Sequence, residues 1–149
     1  MAVETDYVER EIRIVASPET ISPFFTDPAK MVLWKGRSAT LDPRSGGIYR
    51  VDVTGRDIAR GEYVEVTPPS RVVFSCGWEG KGNPVPPGSS TVEISLIPDG
   101  HATIVRLRHS GLSAEQGAEH AKGWEHYLER LANAAPGSDA GEAPWASRD

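Results

Sequence analysis

The chain has 149 residues, 38% of them hydrophobic and 25% charged, with a net charge of -5 at neutral pH; that length suits one domain, able to bury about 70% of the surface its unfolded chain exposes. The acidic balance argues against nucleic acid or an anionic membrane as the main partner, and no apolar run approaches the roughly 20 residues of a membrane span. The acidic start, MAVETDYVEREIRI, has no apolar core and is not a secretory signal.

Residues 7–15 alternate Val8, Ile12 and Ile14 with Glu9, Glu11 and Arg13, the pattern of a half-buried strand. Ser17-Pro18-Glu19 then predicts a short helix with a serine cap and proline in its first turn. Ile21, Phe24 and Phe25 form its inner face, and Thr26-Asp27-Pro28 restarts it as a second short helix ending at Trp34.

From residue 36 to 109 the apolar period is two, broken by turn signals at short intervals. Six strands are predicted there. Leu41 lies at the end of the first, and Tyr49, Val51 and Val53 share a face of the next. A strand over residues 58–66 follows, then one carrying Val72, Phe74, Cys76 and Trp78 on one face. The Gly/Pro-rich segment 79–88 cannot join a ladder and is expected to be a long excursion. Val92, Ile94 and Leu96, then Val105, Leu107 and His109, define the inner faces of the last two strands.

Residues 113–134 form an amphipathic helix with Gly117, Ala121, Trp124, Leu128 and Leu131 on one stripe. The stripe is thin at its start, and Gly117 and Gly123 each cost about 1 kcal/mol of helix propensity against alanine. Those losses imply a close approach or a space left open. Residues 136–149 are small, polar and aperiodic, which predicts a disordered tail after one domain over 1–135. Trp145 in that tail is either a stray residue or a docking contact with the domain or with a second copy in a homodimer.

One-sided strands joined by short turns imply an antiparallel sheet covered on one face, and only the last helix is long enough to cover it. The predicted class is therefore α+β: a curved antiparallel sheet gripping one long helix, with the short helix pair closing an end.

The segments SPETISPFFTDPAKMVLW, LDPRSGGIYRVDVTG, GEYVEVTPPSRVVFSCGWEG, GSSTVEISLIPDG, LRHSGL and HAKGWEHYLERL, in this order, span about residues 8 to 133. Together they resemble the START / birch-pollen-allergen-like superfamily of helix-grip proteins (SRPBCC). Within it they resemble the subgroup named after the C-terminal domain of the activator of heat-shock protein 90 ATPase. The resemblance implies the helix-grip fold and a cavity between sheet and helix that holds an apolar small molecule in many members. It implies no common activity. The co-chaperone that names the subgroup has an amino-terminal domain contributing to chaperone stimulation; this sequence starts at the helix-grip region, so a chaperone partner and a stress-response role are not the leading expectation. Cys76 stands where similar sequences often carry a bulky aromatic, which leaves room on the inner face.

Trp34, Tyr49, Trp78 and Trp124 come from four elements that such a fold gathers around one space, as a plain aromatic core or as the wall of a pocket. Val51, Phe74, Cys76, Leu107 and Leu128 would complete the apolar lining, and Tyr49, Glu79 and His109 would supply polar groups. His109, inward at a strand end, is either a ligand-orienting or proton-moving group or a histidine bonded to a backbone carbonyl. His120 lies one turn before Trp124, at the cavity mouth or on the solvent flank. His126 is about 240° round the helix from His120, so the two cannot share a metal. No cluster has metal-ligand spacing, and neither a metal nor a cofactor is expected. Cys76 lacks a histidine nearby in sequence and reads as an inert small hydrophobe; as the single cysteine it excludes an internal disulfide and fits a reducing cytoplasm. The leading expectation is a non-catalytic carrier or sensor of an apolar, ring-containing small molecule, with segment 79–88 and the helix pair as lid. The alternatives are a cyclase-, dehydratase- or aldolase-type enzyme using His109 or Glu79 as general acid or base, and a co-chaperone-like interaction protein.

Overall fold

The computed structural model describes residues 7–80 and 85–136. Its elements in chain order are β1 (Tyr7–Ile14), α1 (Pro18–Ile21), a 3-10 turn (Ser22–Phe25), α2 (Pro28–Met31), β2 (Ser38–Leu41), β3 (Ile48–Asp52), β4 (Ile58–Thr67), β5 (Arg71–Cys76), β6 (Ser90–Asp99), β7 (Ala102–Ser110) and α3 (Ala114–Ala134). The seven strands form one antiparallel sheet in the order β1-β7-β6-β5-β4-β3-β2. This is the α+β helix-grip architecture expected from the strand periodicity, with β1 and β2, the first two strands of the chain, at its two edges.

Alternation decides which face is dry. Tyr49 and Val51 of β3, Val72, Phe74 and Cys76 of β5, Val92, Ile94 and Leu96 of β6, and Val105, Leu107 and His109 of β7 are all buried. The opposite face carries cross-strand ion pairs. Glu11 lies directly opposite Arg106, with Arg106 Nε donating to its carboxylate at 2.6 Å. Arg71 bridges Glu65 at 3.1 Å and Glu93 at 2.9 Å.

The chain ends of the helices follow their caps. Ser17 accepts from the Thr20 amide at 3.2 Å and Asp27 from the Ala29 amide at 2.9 Å, each with proline just inside the helix. Two aromatic donors fix the helix pair, Trp34 from the turn after α2 and Tyr63 from β4. The Trp34 indole donates to the Phe24 carbonyl at 2.9 Å, and the Tyr63 hydroxyl donates to the Phe25 carbonyl at 2.8 Å. Arg130 of α3 donates to the Trp34 carbonyl at 3.0 Å, joining the last helix to the same corner.

Ser113 caps α3 by accepting from the Gln116 amide at 3.1 Å. The helix buries Trp124, Leu128 and Leu131 against the sheet, while Gly117 and Ala121 remain half-buried. Each large side chain so buried contributes about 1.5–3 kcal/mol. The fully buried Leu131 closes the stripe. Leu131→Ala is expected to lower the unfolding free energy by about 2–5 kcal/mol in urea denaturation, with the cavity cost added to the lost transfer energy.

Candidate functional site: a cavity beside the last helix

A cavity of about 390 Å³ lies between α3 and the sheet. Its apolar wall is built by Val53, Cys76, Trp78, Trp124 and Tyr127, and its inner polar groups are Lys35, His109 and His120. The mouth runs between the β3–β4 turn, which brings Thr54 and Asp57, and the first turns of α3, which bring Gln116 and Glu119. Gly123 faces the space directly: a β-carbon built there meets no atom within 4 Å. Gly117 differs, since its added β-carbon would sit at 3.6 Å from Val8 Cγ2, an ordinary contact. The room left by the helix is therefore at its middle, beside Trp124, rather than at its start.

Two indole–imidazole pairs form the polar frame. The Trp124 indole donates to His109 Nδ1 at 3.0 Å. An indole N–H can only donate, so Nδ1 is the bare nitrogen and the ring proton sits on Nε2. Nε2 lies 2.7 Å from Ser90 Oγ, whose own hydrogen goes to the Cys76 carbonyl at 2.7 Å. The proton order is fixed from Trp124 through His109 and Ser90 to backbone. The second pair repeats the logic: Trp78 donates to His120 Nε2 at 3.0 Å, and His120 Nδ1–H donates to the Gln116 carbonyl at 2.8 Å. The two imidazoles meet edge to face with centroids 5.1 Å apart.

Both histidines are held neutral. Burial, then the neighbouring His120 and Lys35, push the His109 pKa down to about 3. Burial lowers that of His120 as well, with the charge of Lys35 adding to it and the Gln116 carbonyl opposing. Protonating either ring would also turn its bare nitrogen into a donor facing an indole donor. Neither ring has a nitrogen left to take a proton from a ligand.

The residues singled out in the sequence divide into two groups. Cys76, Trp78, His109, His120 and Trp124 line the cavity. Trp34, Tyr49, Val51, Phe74, Leu107 and Leu128 are buried in the core behind it and are not part of its wall. Trp34 is spent on the helix-pair corner, and Tyr49 stacks on Phe74 with centroids 4.0 Å apart. Of the two positions weighed for His120, the structure gives the cavity side. Glu79 lies elsewhere. Arg50 and Arg60 sit directly opposite each other on β3 and β4, and Glu79 answers both, at 2.9 Å and 3.5 Å. Arg50, with its hydrogen bond first, holds the Glu79 carboxyl below its ordinary range. Segment 79–88 falls partly outside the described residues, and none of residues 18–31 lines the cavity. Burial raises the Cys76 thiol above its usual pKa, with Lys35 opposing, so it stays a thiol. Among the described residues no three His, Cys, Asp or Glu side chains are placed to hold a metal ion. Likewise no described helix is long and apolar enough to cross a membrane.

Lys35 and Ser90 were not legible as site residues. Lys35 belongs to no strand or long helix, so no periodicity points it inward, and Ser90 opens β6 as one of two adjacent serines.

The neutral His109 makes stability depend on pH. Between pH 6.5 and about 3 the unfolded chain binds a proton that the folded chain refuses. This contribution is therefore full above the unfolded pKa and is lost as pH falls, at up to about 1.4 kcal/mol per pH unit. From pH 6.5 to 4.5 the wild-type unfolding free energy is expected to drop by about 2 kcal/mol more than that of His109→Gln. Parallel curves for the two proteins in urea melts would contradict the buried neutral histidine.

Among solved structures, the chain is similar to the AHSA1-like protein of Rhizobium etli, determined by solution NMR. The two are 48% identical, with 95% of this chain and 89% of that one covered and a TM-score of 0.75. DynU16, from the dynemicin biosynthetic locus, superposes with a TM-score of 0.79 at 23% identity over 93% of this chain, which spans only 51% of DynU16. The Aha1 dimer of Colwellia psychrerythraea gives a TM-score of 0.74 at 19% identity, covering 87% and 95% of the two chains. The latter two likenesses speak for the fold alone. No functionally curated protein matches the chain at a significant level. The family model described as "Activator of Hsp90 ATPase homolog 1-like protein" matches residues 15–135. With that match over most of its length, the chain belongs to the family of Activator of Hsp90 ATPase homolog 1-like proteins, within the helix-grip superfamily.

Proposed function

We propose that this protein binds one small, apolar, ring-containing molecule between α3 and the sheet and carries or senses it without transforming it. The observation that carries this reading is the cavity of about 390 Å³ walled by Trp78 and Trp124, with Gly123 opposite open space. Its size lies in the ordinary range for ligand pockets. A cavity of about 150 Å³ holds one benzene ring, so this one has room for two or three rings. Acid–base chemistry of the cyclase, dehydratase or aldolase kind has less support. His109 and His120 have both ring nitrogens engaged, and Glu79 is tied to Arg50 and Arg60 away from the cavity wall.

A co-chaperone-like role rests on family likeness; one structural relative is an Hsp90 activator from Plasmodium falciparum, 24% identical. The exposed large hydrophobics among the described residues, Val15, Leu33 and Val64, come from three different parts of the chain. Self-association is also open in this family, since the Colwellia relative is a dimer.

Gly123 separates binding from stability. Gly123→Ala removes a helix-interior glycine and is expected to raise the unfolding free energy by up to about 1 kcal/mol. Gly123→Phe fills the space. The wild type is expected to bind the neutral fluorophore phenylnaphthylamine at one per chain, read by energy transfer from the indoles. The phenylalanine variant should bind it about ten-fold or more weakly while melting no lower than wild type. Failure of the wild type to bind, or equal binding by the filled variant, would overturn the reading.

A further inference from the structure

Lys35 is a buried amine on the cavity wall. Only 5% of its surface is exposed, and among the described residues no carboxylate pairs with it. Its ammonium sits 4.6 Å from the ring centroid of Trp124 and donates one long hydrogen bond, 3.5 Å, to the Tyr49 hydroxyl. An ammonium has three donor hydrogens, so two are unspent. The placement is built in by the backbone. The Lys35 amide donates to the Met31 carbonyl at 2.8 Å, and the next residue, Gly36, takes a positive φ of 94° against β3. A β-carbon at Gly36 would lie 2.5 Å from Val51 Cγ1, so only glycine lets the chain pass there and deliver Lys35 to the cavity.

Every other inner polar group is satisfied by the protein itself: both indoles, both imidazoles and Ser90. An ammonium buried against an apolar wall is costly unless paired. Burial lowers the Lys35 pKa, with Cys76 opposing, as expected of a charge whose partner is missing. At the mouth, Asp57 and Glu119 are exposed and solvated. Water and salt screen them at the surface, and they disfavour a multiply charged ligand more than a singly charged one.

The geometry points to an aromatic carboxylic acid as the ligand class, its rings against Trp78 and Trp124 and its single carboxylate on the Lys35 ammonium. This rests on the cavity being a binding site and names the chemistry it selects. Charge-assisted N–H···O bonds to a carboxylate are the strong ones, and they are made here out of bulk water.

Displacement of phenylnaphthylamine by naphthoate and by the neutral naphthamide, which differ little in shape, tests the assignment. On the wild type, naphthoate is expected to displace the fluorophore at about ten-fold or more lower concentration than naphthamide. On Lys35→Met, which keeps the apolar stem, the fluorophore should still bind and the two competitors should become equal. Equal displacement on the wild type, or a preference for naphthoate that survives Lys35→Met, overturns the carboxylate anchor while leaving the cavity reading intact. The wild-type comparison decides the matter even if the variant does not fold. Absence of fluorophore binding to the wild type overturns both.

Discussion

One helix has to cover one whole face of a seven-stranded sheet, and the rest of the architecture follows from that mismatch. Seven strands about 4.8 Å apart span roughly 29 Å, whereas a helix with its side chains is about 10 Å wide. With 21 residues, α3 is about 32 Å long, enough to run along the sheet but not to blanket it. The helix pair and the aromatic stack of Tyr49, Tyr63 and Phe74 fill one part of the remainder. The other part, beside Gly123, is left as a cavity. Sheet curvature reduces the deficit without removing it.

Polar groups inside such a gap must be satisfied or must wait for a partner. The two indole–imidazole pairs are the satisfied kind. They tie α3 to β7 through Trp124 and His109, and α3 to the segment after β5 through Trp78 and His120, so the walls are held apart by directional bonds as well as by bulk. Because each indole supplies a proton that the imidazole must accept, the histidines act here as neutral acceptors. Their usual role as proton carriers is closed off by their partners. Lys35 is the waiting kind, and its charge is felt at both histidines.

The fold was legible in the sequence because its signals are local and repeated. Alternation over β3 and β5 to β7, the Ser17-Pro18 and Asp27-Pro28 caps, and the stripe from Trp124 to Leu131 each correspond to an element. Part of the site was legible for the same reason: Cys76, His109 and Trp124 are inward positions of periodic elements, and Trp78 continues the alternation just past the end of β5. The distinction between a core residue and a wall residue was not, since Phe74 and Cys76 share one face of β5 and only the packed structure says which borders empty space. Lys35 escaped because a turn aims it, through the backbone conformation of Gly36. The tautomers of His109 and His120 also depend on partners distant in sequence, Ser90 at 19 residues and Trp78 at 42.

Carriage of an apolar ligand requires the gap beside Gly123 to be apolar and accessible. Xenon-pressurised crystals examined at high resolution test it most directly, since xenon enters apolar cavities that water leaves empty. Xenon density is expected between Gly123 and the wall formed by Cys76, Trp78 and Trp124, with those side chains unmoved. An interior closed by Trp124 or Tyr127 packing into that space, with no xenon bound, would contradict it.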